Sequence, residues 1–362
     1  MSTSRMPALL AAAGARVSAL APWPIQLGAH VHEHLLSSQN PATVANRLVE
    51  LVARRAFDLV VVADEPLLGA LLATKGPLPW YPVNLSDELA LELILSKYAL
   101  ATRAEGLGLP VPESRLAATP QGWRNAASCL GFPVVVKGNR SFGAFEVTVA
   151  ESQARLDAAC APLVARYGRV LLQRFVDGDE GGVAVVYRDG LPLAQLAYLS
   201  SCNYPEARSP TTVHRPFVAA AIGPLVERIG ALTHFTGFAA LDFIVARDGR
   251  ISLLEINPRP TLAFCGTPAN RALFAPAAHA LLARNGSVDR ATLALADEAV
   301  YFPSYGFYWL TRASPSERRT GRRLLRAARS FRPSEIALAA WETARFLRLL
   351  AAGLVRLIAR RR

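Results

Sequence analysis

Residues 236–260, TGFAALDFIVARDGRISLLEINPRP, decide how the rest of the chain is read. Two apolar, β-branched runs, LDFIVA (241–246) and ISLLEIN (251–257), flank ARDGR. Asp-Gly between such runs predicts a β-hairpin. Three side chains with oxygen donors ride on it: Asp242, Glu255 and Asn257. Side chains alternate across a strand, so Glu255 and Asn257 share a face, and Asp242 lies across the hairpin where it can meet them. Leu253, Leu254 and Ile256 flank the glutamate. A carboxylate among such neighbours is costly without a partner, which argues against an ordinary hairpin with a polar outer face. Converging oxygen ligands suit a hard cation such as Mg²⁺, which keeps waters and is shared with substrate phosphates.

Around this hairpin lie 362 residues, 52% of them hydrophobic, enough for a large core and two or three domains. Cys129, Cys160, Cys202 and Cys265 are scattered without metal-ligand spacing, which argues against a zinc site and a disulfide framework. PALLAAAGA near the start reads as a helix and is too short for a cleavable leader. No uncharged apolar run reaches about 18 residues, so no spanning helix is expected and a cytoplasmic protein is the default. The net charge of +12 is unevenly spread: residues 312–362 hold 14 Arg against 3 Glu, +11, leaving +1 for the remainder. The basic character therefore belongs to a tail.

Periodicity predicts helices at 6–13 and 43–55, a short strand near Arg16–Leu20, a buried parallel-type strand at 58–64 (DLVVVAD), and a helix from Glu65 with Pro66 in its first turn. Residues 1–95 so resemble a small doubly wound α/β domain whose usual first strand is missing from the pattern. His30, His32 and His34 alternate and would share a strand face, but without a fourth ligand they read as a polar connecting segment. Residues 86–114 form two helices, capped at Ser86 and broken at Gly106 and Gly108. A helix near 120–130 precedes strand–turn–strand over 132–152, with Lys137 ending the first strand. Three strands follow in 170–200, and a helix at 224–235 leads into the hairpin.

In this order, Lys97 in SKYAL, Lys137 in VVVKG, LLQRFVDGDE and DF…LLEINPRP resemble the ATP-grasp superfamily, in its carboxylate–amine ligase and carbamoyl-phosphate-synthase-like branch. The resemblance covers roughly residues 85–285. It implies an α+β ATP-grasp fold: a small lobe over 96–165, a large lobe with the metal site over 166–290, and a basic helical tail over 291–362. It implies ATP and Mg²⁺ as cofactors, with Mn²⁺ an acceptable substitute. Lys97 and Lys137 would hold the α- and β-phosphates, as compact point charges suited to polyphosphate. GNRSFGAF, with Ser141 and Gly143, resembles the loop that closes over the phosphates, although Phe142 and Phe145 are bulky for it; a structural hairpin is the alternative. Gln173, Arg174, Phe175 and Val176 resemble the hinge whose backbone reads the adenine edge, with Arg174 where the family commonly has an acid. Glu180, with Asp179 its rival, would bond the ribose. Phe243 and Leu254 would touch the purine, and Asp242, Glu255 and Asn257 would ligate Mg²⁺. Arg259 resembles the arginine near the γ-phosphate and, with Lys137, would be catalytic. The alanine-joining ligases carry a further arginine two residues before the first metal carboxylate. Here that residue is Ala240, so the chain does not read as an obvious D-alanine ligase.

The implied activity is ATP-dependent ligation of a small-molecule carboxylate, activated as an acyl-phosphate, to an amine, releasing ADP and phosphate. A small-carboxylate kinase and a non-catalytic nucleotide-binding protein recruited to a membrane by its tail are the alternatives. Tyr204, Arg208, His214 and Arg215, in 198–217, are candidate substrate contacts. Residues 334–360 predict a basic amphipathic helix with Ile336, Ala340, Leu347, Leu350, Leu354 and Leu357 in one stripe. Docking on the body, dimerisation and peripheral contact at the inner membrane surface all fit such a helix, and nucleic acid does not.

Overall fold

The hairpin is present and is one edge of the principal sheet. In the computed structural model, residues 5–21, 30–62, 65–74, 87–139, 146–203, 211–283, 290–301, 310, 314–327 and 329 are described. The helices are α1 (Met6–Ala12), α2 (Pro41–Arg54), α3 (Glu65–Leu72), α4 (Glu88–Leu95), α5 (Lys97–Arg103), α6 (Pro120–Leu130), α7 (Gln153–Tyr167), α8 (Ile222–Thr233), α9 (Leu262–Cys265), α10 (Pro268–Ala283) and α11 (Pro315–Ala327). The strands are β1 (Ser18–Ala21), β2 (Glu33–Leu36), β3 (Ser114–Ala117), β4 (Val134–Lys137), β5 (Val147–Ala150), β6 (Val170–Arg174), β7 (Gly178–Arg188), β8 (Leu191–Asn203), β9 (Thr211–Pro216), β10 (Gly237–Ala246), β11 (Ile251–Asn257), β12 (Ala291–Leu293) and β13 (Ala299–Val300).

Seven strands form the large sheet in the order β11-β10-β7-β8-β9-β13, with β12 beside β8. Each face is covered, as alternation requires. Val183, Val185, Leu241, Phe243 and Leu253 pack against Ile222, Leu225, Val226 and Ile229 of α8 and against Leu93 of α4. Ala184, Val186, Leu196 and Phe238 pack on the other side against Phe264 and Phe274 of α9 and α10. Met6 and Leu9 of α1 and Leu324 of α11 join that second core. Arg5, just before α1, is 2% exposed and donates to the carbonyls of Gly266 and Tyr301, the latter at 3.2 Å. The N-terminal helix is thereby pinned to the C-terminal half.

The small sheet, β3-β6-β4-β5, is covered on one face by α6 and α7 through Trp123, Leu130, Leu156 and Leu163 against Val134, Val136 and Leu172. Its other face turns toward the large sheet, and the space between them holds the site.

The N-terminal segment departs from the doubly wound expectation. Among the described residues its sheet is the two-stranded parallel pair β1-β2. Residues 58–62 form no ladder. They are apolar because Leu59 and Val61 pack into one core and Val60 and Val62 into the other, so the alternating burial of a strand arises without strand pairing. His34 lies on β2, and His32 meets the Arg16 guanidinium rather than a metal-type cluster. The predicted cap Ser86 and the tail helix 334–360 lie outside the described residues; Asp87 caps α4, its carboxylate accepting from Ala90 N at 2.9 Å. No described helix is long and apolar enough to cross a membrane.

Candidate active site

β4 delivers the first functional side chain. Val134 and Val136 enter the core under α6 and α7, so Val135 and Lys137 face the large sheet. Lys137 is 8% exposed and its Nζ donates to Gln173 Oε1 at 2.7 Å. Gln173 Nε2 in turn donates to Ser114 Oγ at 3.0 Å. Burial pushes the Lys137 ammonium down to about 8; Glu255 opposes that shift and Lys97 adds to it. A lysine in this state gains most from a nearby anion.

Lys97 arrives from another direction. It opens α5, capped by Ser96, whose Oγ accepts from Ala99 N at 3.1 Å. Asn139, two residues beyond Lys137, ties the two lysine-bearing elements together. Its Oδ1 accepts from Ser96 Oγ at 2.8 Å and from Tyr98 N at 3.2 Å. Lys97 Nζ donates to Glu255 Oε1 at 2.7 Å.

On the hairpin, Asp242 stands opposite Glu255, and the next pair is Phe243 with Leu253. Leu254 is therefore the extra residue of a β-bulge, which re-aims its side chain. Asn257 Nδ2 donates to Asp242 Oδ2 at 2.9 Å, and Asn257 Oδ1 accepts from an Arg259 terminal nitrogen at 3.2 Å. Arg259 Nε donates to Glu65 Oε1 at 2.9 Å. Burial, and then the Glu255 charge, raise the Asp242 carboxyl to about 7; Arg259, Asn257 and Lys97 pull the other way.

Of these groups Lys137 and Gln173 line a cavity of about 390 Å³ between the sheets, and the hairpin reaches it through Ile244 and Leu254. Val135, Val147 and Val149 form its small-sheet wall, and Ile244 and Leu254 its large-sheet wall. Phe175, Val176 and Glu180 close it at the β6–β7 junction. That volume lies in the range of small-molecule and cofactor sites, as does the mix of apolar walls with few charged groups. The Arg174 guanidinium is tied to Glu113 Oε2 at 2.6 Å and to the Leu130 carbonyl at 2.5 Å. Asp179 is paired with Arg215 at 2.6 Å, whereas the Glu180 side chain is on the same strand face as Gly182, beside Asp242 in the register.

Sequence reasoning placed Phe243 in the cavity; the structure does not. Phe243 is fully buried on the opposite face of the sheet, its ring centroid 5.8 Å from that of Phe217. Its neighbour Ile244 takes the position, as strict alternation from Asp242 requires. Asn139 and the three valines were also missed, although the alternation of β4 and β5 carries the valines. His214, a candidate substrate contact, is 4% exposed, stacked on Tyr198 with centroids 3.6 Å apart and 2.7 Å from the Tyr301 hydroxyl, so it belongs to the core. Ser141, Gly143, Tyr204 and Arg208 lie outside the described residues.

The comparisons agree on the architecture. Residues 105–266 match the family model described as D-ala D-ala ligase C-terminus. The biotin carboxylase domain of Hydrogenobacter thermophilus 2-oxoglutarate carboxylase, solved with MgADP and bicarbonate, superposes with a TM-score of 0.63 at 15% identity, covering 80% of this chain and 69% of that one. N5-carboxyaminoimidazole synthetase from Staphylococcus aureus gives 0.60 at 13%, covering 82% and 77%. The chain shares the fold of these structures, the ATP-grasp fold. D-alanine–D-alanine ligase of Dechloromonas aromatica (strain RCB) is 24% identical over 202 residues, 49% of this chain. The match spans 62% of that enzyme, and 46% and 60% of two further such ligases.

The residues here fit a magnesium nucleotide on their own chemistry. Asp242 and Glu255 are partly buried acids facing each other, with a third oxygen donor available from Asn257. Among the described residues no group of three or more His, Cys, Asp or Glu is placed to hold a metal ion. An all-oxygen set completed by water and phosphate suits Mg²⁺ and not a thiolate or imidazole metal. As placed, the Asn257 amide turns its nitrogen toward Asp242, so its oxygen reaches an ion only after the amide flips.

Proposed function

We propose that this protein is an ATP-dependent, ADP-forming carboxylate–amine ligase. One observation carries the reading: Lys97 of α5, Lys137 of β4, Asp242 of β10, Glu255 and Asn257 of β11, and Arg259 just beyond it gather in one charged cluster beside a nucleotide-sized cavity that Lys137 lines. The ligase names of the sequence relatives and the nucleotide in the solved biotin carboxylase domain support the same class of chemistry.

In this account Lys137 and Lys97 bind the phosphates. Burial removes water from the Lys137 ammonium, which strengthens its attraction to an anion. Glu180 receives the ribose hydroxyls, Gln173, Phe175 and Val176 border the base, and Leu254 and Ile244 pack on it. Asp242, Glu255 and Asn257 would hold Mg²⁺, which would offset the charge developing during transfer. Binding requires Asp242 to lose its proton and Lys97 to move its ammonium from Glu255 to phosphate. Arg259 is held at the end of the hairpin by Glu65 and Asn257, where it stabilises the phosphoryl group in transfer. A substrate carboxylate oxygen attacks the γ-phosphorus, the bond to the β-bridging oxygen breaks, and ADP leaves. The amine then attacks the acyl-phosphate carbonyl, phosphate departs, and the amine proton goes to solvent or phosphate. No covalent bond to the protein is needed; positioning and charge neutralisation supply the catalysis.

The partners are small-molecule carboxylates and amines, and the working site is the cytoplasm. Ala240, fully buried and paired with Asn257 in the ladder, leaves no arginine where the alanine-joining ligases carry one, so neither substrate is assigned to D-alanine. ADP release measured over pairs of acids and amines tests the proposal. A pair that stimulates release in the native chain, and loses at least 100-fold in Glu255→Gln, is the expected result; unchanged activity in Glu255→Gln removes the metal assignment.

A further inference from the structure

A second cavity, of about 220 Å³, opens beside the metal-binding end of the site. Its walls are apolar: Pro66 and Leu72 of α3, Leu93 and Ile94 of α4, and Leu100 of α5. Its mouth is charged. Glu65, Lys97 and Glu255 line it, and Glu65 is the residue that holds Arg259. The nucleotide account uses none of the apolar wall.

The α3 face toward this cavity is Glu65, Gly69 and Leu72, spaced as one helical face at i, i+4 and i+7. Gly69 sits in the middle of the helix, where glycine is less stabilising than alanine. The conformation does not demand it: its φ is not in the left-handed region, and a Cβ built there meets no described heavy atom within 4 Å. Gly69 is exposed and lines the cavity, so the absent side chain leaves the rim of the cavity open. Helix propensity and local packing both permit a larger residue there.

We propose that this cavity receives the apolar side chain of the carboxylate substrate, and that Gly69 sets how large that side chain can be. This rests on the ligase reading above. Arg259, held beside the mouth by Glu65, favours the carboxylate rather than an ammonium and places it beside the phosphoryl group that activates it. An apolar cavity of about 150 Å³ accepts a benzene-sized guest. At 220 Å³ the chamber fits an isobutyl to benzyl group, and a methyl group leaves most of it unfilled. The substrate class is therefore an acid with a branched aliphatic or aryl side chain.

The test uses the full chain with Mg·ATP and hydroxylamine as a permissive amine. Propanoate, 4-methylpentanoate and 3-phenylpropanoate, and the corresponding 2-amino acids of both configurations, serve as probes. ADP release gives kcat/KM, and thermal shift in the presence of MgADP gives binding separately. The native chain should prefer the larger acids over propanoate by at least tenfold, the scale that one or more buried methylenes provide. Gly69→Leu should lower that preference at least tenfold and remove the thermal shift by 4-methylpentanoate, with Gly69→Ala intermediate and no less stable than the native chain. A preference indifferent to side-chain size, or one unmoved by Gly69→Leu, overturns the pocket assignment. If Mg·ATP binds and no acid releases ADP, the ligase reading fails. The thermal-shift arm then decides the pocket alone: a shift by 4-methylpentanoate that Gly69→Leu abolishes upholds it, and no shift overturns it.

Discussion

Proton exchange on nucleotide binding should reverse direction with pH. Asp242 is raised to about 7 chiefly by burial, and Lys137 is lowered to about 8 by the same cause. A metal on Asp242 requires the carboxylate, and phosphate beside Lys137 favours the ammonium. At pH 6 about 0.9 of Asp242 is protonated, so binding releases about 0.9 protons there; at pH 9 about 0.9 of Lys137 is neutral, so binding takes up about 0.9. The two contributions cancel near pH 7.5. Affinity should fall about tenfold per unit below pH 7 and again per unit above pH 8, each step being about 1.4 kcal/mol. The unliganded protein should show the linked signs in stability. Between the ordinary carboxylate value of 3.8 and about 7 the folded state binds the extra Asp242 proton, so this contribution falls as pH rises through that window. Between about 8 and 10.5 the unfolded state binds the extra Lys137 proton, so that contribution rises with pH. Calorimetric titration with preformed Mg·ATP in buffers of different ionisation enthalpy reads the exchange directly. Asp242→Asn should remove the release at pH 6 and Lys137→Met the uptake at pH 9. The same sign at both pH values in the native chain, or release at pH 6 that survives Asp242→Asn, refutes the reasoning.

Placement of the two sheet faces predicts opposite outcomes for adjacent residues. Phe243→Leu should cost about 1 kcal/mol of stability and leave the Mg·ATP Kd within threefold, whereas Ile244→Ala should weaken Mg·ATP by about 1–2 kcal/mol, both read by denaturation and calorimetry. Gly178, at the start of β7, has the Val245 carbonyl oxygen where a Cβ would stand, 2.0 Å away. Gly178→Ala should cost about 1–3 kcal/mol in urea denaturation, and an unchanged midpoint would show that the strand can move. A chain ending at residue 330 keeps α11, whose Leu324 is buried. Its Mg·ATP thermal shift should match that of the full chain; a drop in co-sedimentation with anionic vesicles would assign the tail peripheral membrane contact, and equal partition of both removes that reading.

Local signals carried most of the ATP-grasp core into the sequence. Asp248-Gly249 closes the hairpin with Gly249 at φ +84°, the conformation that favours glycine. Lys137 was legible because an ammonium ending a run of valines needs an explanation. Phe243 was misplaced because its purine contact was carried over from the resemblance, without the period-two rule that turns it to the face opposite Asp242. Residues 58–62 misled for a related reason: a chain buried on both sides between two cores has the composition of a central strand whether or not it pairs. Asn139, Glu65 and the second cavity were illegible because they depend on contacts across 40 to nearly 200 residues of sequence, such as Ser96 with Asn139 and Glu65 with Arg259. No periodicity records such contacts.

Trapping the acyl-phosphate tests the central claim most directly. The protein is incubated with Mg·ATP, a branched aliphatic acid and hydroxylamine, and hydroxamate and ADP are quantified together. The account predicts hydroxamate in one-to-one ratio with ADP, dependent on the acid and lost in Glu255→Gln. ADP formed without hydroxamate, or at the same rate with no acid present, contradicts it.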